Sequence, residues 1–309
     1  MPMTPKVRGN RFLRKRLLAG RAHPLVEFRS FLWIPIHSSM KKTLFVAFAA
    51  LTSAAFAQPP AKIDVSQLPQ QSKMIDDVVV PVPSEIFAVL DKLGKPHWAE
   101  VLRPMVGVAK PKGERPQVAL LLGTVIAEGF IAVEAENSEE VKKIGNSVLS
   151  LAEAIGVRKA VLKRSKSIID AADRKDWTTV RRELQGALSD VEEAMDALNS
   201  QELSQLVSLG GWVRGTEALT AVVRRDFTKD GAELLHQPVL LDYFDRRLEN
   251  MAPRLKSNPV IAQMQAGLKQ IRPLMGAGEN AEISKTSVEE IGKISEGLIK
   301  QIDSKPQVQ

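Results

Sequence analysis

Between residues 139 and 198 the apolar side chains recur three and four positions apart. Val141, Ile144, Val148, Leu151 and Ile155 form one such row, and Trp177, Val180, Leu184, Ala187, Val191, Ala194 and Leu198 form another. Rows at this spacing line one face of a helix, so the pattern predicts amphipathic helices over 139–156 and 177–198. A third helix, 158–174, lies between them with Val161, Leu162, Ile168 and Ile169 as its apolar positions. Asn137 with Glu140, and Asp176, supply the start signals, and Gly156 is a stop. The stretch 117–137, QVALLLGTVIAEGFIAVEAEN, follows a different rule. Its large apolar residues fall all round the wheel, and a helix of that kind is stable only when buried on every side. It is placed at the centre of a bundle.

The remaining pattern is also helical. Ser84 caps a short helix over 85–93, and Pro96 separates it from another near 97–104. Asn199 or Ser200 opens a long helix to about Arg225, a short one reaches His236, and Pro238 begins the next. Asn258-Pro259 starts a further helix, and Thr286-Ser-Val-Glu289 boxes a last one ending at Ile302. No alternating strand pattern and no hairpin dipeptide occurs after residue 57. Val78-Val79-Val80, followed by Pro81 and Pro83, reads as an extended segment lying on the bundle. The expected fold is all-α: one compact multi-helix bundle of about nine or ten helices with a buried central helix. It spans 84–303, after an extended lead-in over 58–83 and before a tail at 304–309.

Composition changes this picture mainly at the N-terminus. The net charge of +7 suggests a nucleic-acid partner. Residues 1–57, however, carry 10 Lys+Arg and one acid, leaving 33 bases against 35 acids after them. The working region is about −2, which removes the electrostatic footprint that nucleic acid requires. From Met40 the chain reads MKKTLFVAFAALTSAAFA, with Lys41-Lys42, an apolar stretch and Ala55-Phe56-Ala57 before Gln58. This is the three-part pattern of a secretory signal peptide, 40–57, cleaved after Ala57. The protein is therefore expected to be exported, to a bacterial periplasm or the medium. Residues 1–39 are read as an upstream start extension. The apolar stretch is shorter than the roughly 20 residues a spanning helix needs, and no transmembrane helix is expected in the mature chain.

Candidate chemistry is sparse. The chain has no Cys, which excludes disulfides and thiolate metal sites. Glu233-Leu-Leu-His236 has the spacing of a di-metal helix motif, but the two histidines after residue 57, His97 and His236, do not complete such a site. Neither belongs to a serine-nucleophile pattern, and no phosphate-binding loop occurs. No catalytic residue, metal or cofactor is assigned. Trp98, Trp177 and Tyr243 sit at core spacing. The basic run 158–164 is expected to be compensated by Asp190, Glu192, Glu193 and Asp196 on the next helix.

Two anomalies remain. Glu128 lies inside the apolar helix with no polar face to escape to, and an ionised carboxylate there needs a partner. Arg214 lies among apolar neighbours in Leu209-Gly-Gly-Trp-Val-Arg-Gly-Thr-Glu217. Gly211 and Gly215 on one helix, and Gly123 and Gly129 on the other, predict a close crossing that brings Glu128 to Arg214. Trp212 and Glu217 complete the candidate group, as an internal polar pair or a ligand site. The favoured role is non-enzymatic: a scaffold or binding protein of the cell envelope, with a protein partner or self-association. The alternative is a small-ligand carrier or enzyme whose pocket lies at that crossing.

Overall fold

The four turns that join the first five long helices are built to one plan. In each, a residue in the left-handed region ends a helix: Glu136 (φ 52°), Gly156 (φ 89°), Lys175 (φ 56°) and Asn199 (φ 51°). The next residue sends its N–H back to the carbonyl five positions earlier: Asn137 to Ala132, Val157 to Ala152, Asp176 to Ala171 and Ser200 to Met195, at 2.8–2.9 Å. This is the Schellman arrangement, which satisfies the orphan carbonyls of a helix end. That same next residue then starts the following helix. Asn137 accepts from the Glu140 N–H and Asp176 from the Thr179 N–H, both at 3.1 Å. The chain thus reverses with almost no loop.

The structure is a computed structural model that describes residues Lys73–Ile75, Val78–Val80, 97–104, 110–111, 113–276 and 282–304. From residue 97 onward these form helices and their connections: α1 Trp98–Val101, α2 Arg115–Glu134, α3 Ser138–Ala154, α4 Arg158–Asp173, α5 Trp177–Ala197 and α6 Gln201–Arg225. They continue with α7 Lys229–Glu233, α8 Pro238–Glu249, α9 Pro253–Lys256, α10 Pro259–Ile271 with a 3-10 turn Arg272–Met275, and α11 Lys285–Asp303. The fold is an all-α multi-helix bundle.

Helix α2 is its axis. Every residue from Pro116 to Val133 is buried. Its polar members each have a partner: Gln117 Nε2 donates to the Ile302 and Ser304 carbonyls that end α11, and Thr124 Oγ1 donates to the Leu121 carbonyl. On one side α3, α4 and α5 follow in succession, each packed on the last, with α5 returning to touch α2. On the other lies α6, flanked by α11, with α8 and α10 outside it.

The contact between α2 and α6 is backbone on backbone. A Cβ added at Gly123 would stand 1.9 Å from the Val207 carbonyl oxygen, and one at Gly210 would stand 2.1 Å from that of Leu120. Gly211 is near Gly123, but Gly215 has open space, and Gly129 faces Ile144 of α3 instead. The close crossing therefore runs through Gly123, Gly210 and Gly211: the predicted Gly123 and Gly211 lie in it, Gly210 joins them, and Gly129 and Gly215, which spacing also assigned to it, lie outside.

Other departures are local. Lys73–Ile75 (β1) and Val78–Val80 (β2) pair antiparallel, Lys73 opposite Val80 and Ile75 opposite Val78, with β2 beside α8. The lead-in thus holds a short hairpin where the sequence suggested only an extended segment. The last helix is capped by Ser284, which accepts from Ser287 N–H, rather than by a box at Thr286. Leu162 and Leu198, assigned to apolar rows, are half exposed. Leu162 is rotated one residue past the buried Val161, and Leu198 follows the end of α5. The expected helix over 85–93, the signal peptide and residues 1–39 lie outside the described residues.

Two expectations follow, both read by urea unfolding. Gly210→Ala must force two backbones apart and should cost about 3 kcal/mol, whereas Gly215→Ala should gain about 0.5–1 kcal/mol from helix propensity. Equal effects would contradict the glycine crossing. Lys175→Gly should stabilise by about 1 kcal/mol by relieving a left-handed side-chain clash; a loss of stability would contradict the turn geometry.

Candidate functional site

The crossing sets the depth at which α2 and α6 meet, and their polar residues follow from it. Glu128 lies five positions beyond Gly123, and Arg214 four beyond Gly210. Arg214 Nε donates to Glu128 Oε2 at 2.6 Å. Nη1 donates to Glu217 Oε2 at 2.5 Å, one helical turn further along α6, and Nη2 donates to the Val101 carbonyl at 2.8 Å. All three guanidinium nitrogens are engaged by the protein.

The arrangement closes on itself through Arg103. Its backbone N–H donates to Glu128 Oε1 at 2.5 Å, and its Nη2 lies 3.1 Å from Glu217 Oε1. Two carboxylates and two guanidinium groups thus form a neutral ring, and α1 is tied to α2 and α6 by it. Side-chain exposure rises round the ring, from 1% at Arg214 and 5% at Glu128 to 17% at Glu217 and 37% at Arg103. The buried members carry the large desolvation cost, and only complete pairing offsets it. Charge-assisted bonds in this geometry are the strong kind.

Trp212 does not join them. Two residues before Arg214, it points away from the ring, where its Nε1 donates to Gln237 Oε1 at 2.9 Å and its ring tilts against Phe244 at 5.8 Å. The structure therefore brings Glu128, Arg214 and Glu217 together and leaves Trp212 in a separate aromatic cluster. Arg103 and the Val101 carbonyl are absent from the sequence-based group. The signal that could have found Arg103 is charge balance, since two carboxylates around one arginine need a second cation; no signal marks the Val101 carbonyl.

The histidine motif is used structurally. His236 Nδ1 is 2.6 Å from the Met275 carbonyl, and among the described residues no group of three His, Cys, Asp or Glu side chains could hold a metal ion. A cavity does occur elsewhere, between α2, α3, α4 and α5. Ile126, Gly129, Gly145, Val148, Ile169 and Leu188 are among its lining residues, and Ser165 is its one polar side chain. The Ser165 hydroxyl is already given to the Leu162 carbonyl at 2.8 Å. Such a space offers apolar contact and no acid–base group.

Opening the ring should be costly in proportion to burial. Glu128→Gln and Arg214→Met should each lose about 3–5 kcal/mol, whereas Arg103→Ala, at the exposed edge and with its backbone bond kept, should lose about 1 kcal/mol. Melts of both inner variants that matched the parent would contradict a buried pair. No protein-family model, curated protein or solved structure matches this chain, so its residues carry the functional argument alone.

Proposed function

We propose that this is an exported, non-enzymatic helical protein of the cell envelope, acting as a scaffold or binding protein, with Glu128, Arg214 and Glu217 as an internal fastening. The observation that carries the reading is the occupancy of Arg214: each of its nitrogens already has a protein partner, and the side chain is buried. A side chain buried to this depth with every nitrogen bonded lies out of a substrate's reach, and pairs of this kind serve architecture or specificity of fold. Export rests on the sequence pattern from Met40 to Ala57.

A second reading, a carrier of a small apolar molecule, is favoured by the cavity between α2 and α5. It would use that space rather than the glycine crossing, where backbone meets backbone. Apolar lining with few polar groups is what such sites have in common.

Native and denaturing mass spectrometry on protein exported by its own host separates these readings. The expected result is a chain starting at Gln58 and carrying no non-protein mass. A stoichiometric adduct in the native spectrum would overturn the scaffold reading in favour of the carrier, and an uncleaved N-terminus would overturn export through this signal.

A further inference from the structure

We infer that the outer face of α4 is a docking surface for an anionic lipid bilayer. Residues 158–169 hold five cations and no acid. The acids of α5 were expected to neutralise them, but they bond to only one; Asp190, whose carboxyl the Arg164 bond holds low, also feels the charge of Lys163. Arg164 Nε pairs with Asp190 at 2.6 Å and its Nη1 with Glu183 at 3.4 Å, folded across Gly186 in the seam between the two helices. Arg158 Nη1 pairs with Glu153 of α3 at 3.1 Å. Lys159, Lys163 and Lys166 are exposed and form no ion pair among the described residues.

These lysines are four and three positions apart, so they share one face. Leu162, 50% exposed, lies on the same side of the helix. An exposed leucine bracketed by lysine stems suits an interface between water and lipid, where the chain enters the headgroup layer and the ammonium groups stay at its surface. Asp170, one turn beyond Lys166, ends the strip, and Asp173 is held by Lys142 at 2.5 Å. The exposed acids of α5, Glu193 and Asp196, confine the contact to α4.

Two features favour lipid over an acidic protein. The arginines, suited to fork-shaped recognition of single carboxylates, are already paired, Arg158 with Glu153 at the surface and Arg164 in the helix seam, and the cations left without an ion pair are all lysines, which act as point charges toward a diffuse anionic surface. The strip from Lys159 to Lys166 is also only about 10 Å long, too small a patch for the roughly 1,000 Å² of a stable protein interface. Which membrane the protein meets rests on the proposed export; the binding itself does not.

The test is flotation of exported protein with vesicles of phosphatidylcholine alone or of equal parts phosphatidylcholine and phosphatidylglycerol. The parent should bind only the anionic vesicles, and less as salt rises. The triple variant Lys159→Gln, Lys163→Gln, Lys166→Gln should melt like the parent yet lose roughly 100-fold in affinity. Leu162→Gln should weaken binding several-fold. Comparing variant with parent cancels any contribution of the N-terminal segment. Equal binding by parent and triple variant, or no binding to anionic vesicles, overturns the inference. So does self-association of the parent that the triple variant loses, which would assign the face to a second copy. None of these outcomes bears on the mass measurement that tests the scaffold reading.

Discussion

Helices α2 and α6 touch at Gly123 and Gly210 with no side chains between their backbones, and the Glu128–Arg214 bond closes the gap that this approach leaves further along. Both parts are needed. The glycines alone allow close approach but give no reason to prefer one rotation of α6 over another. The ion pair fixes that rotation, because an unpaired carboxylate in an apolar helix is among the most costly defects a core can hold. The bond also turns Arg214 toward α1, so the chain entering the bundle at Val101 and Arg103 is registered by the same group.

The remaining helices are placed relative to this pair. With α2 buried all round, α3, α4 and α5 must cover one side, and turns of only three residues keep each beside its predecessor. Three of the four left-handed residues in those turns, Glu136, Lys175 and Asn199, are not glycine. Each accepts a local clash so that the helix end can be satisfied and the next helix begun at once. On the opposite side Gln117 does comparable work over a long sequence distance, closing the last turn of α11 with its amide.

Much of this was legible in the residues. The three-and-four spacing of α3 and α5, and the caps Asn137, Asp176 and Asn258, are local signals and need no tertiary knowledge. Glu128 and Arg214 were visible as anomalies, each lacking a polar face on its own helix. What was hidden depends on register. Gly129 and Gly215 look like Gly123 and Gly210 in sequence, and only the rotation of each helix about its axis decides which pair meets. Arg103 sits in a non-periodic segment before Pro104, and nothing local marks it. Leu162 shares its composition signal with Val161, yet one step of about 100° on the wheel sends it to solvent. That difference exposes the lysine face that the sequence presented as neutralised.

Glu128 and Arg214 stabilise the crossing through each other. A double-mutant cycle in urea, with Glu128→Leu, Arg214→Met and the two combined, measures this coupling directly. The double variant should retain about 2 kcal/mol or more beyond the sum of the single losses, since neither charge is then left alone. Losses that add within about 0.5 kcal/mol would mean that the two side chains act independently, and the ring would then be an incidental contact of a fold held by its glycines and apolar core.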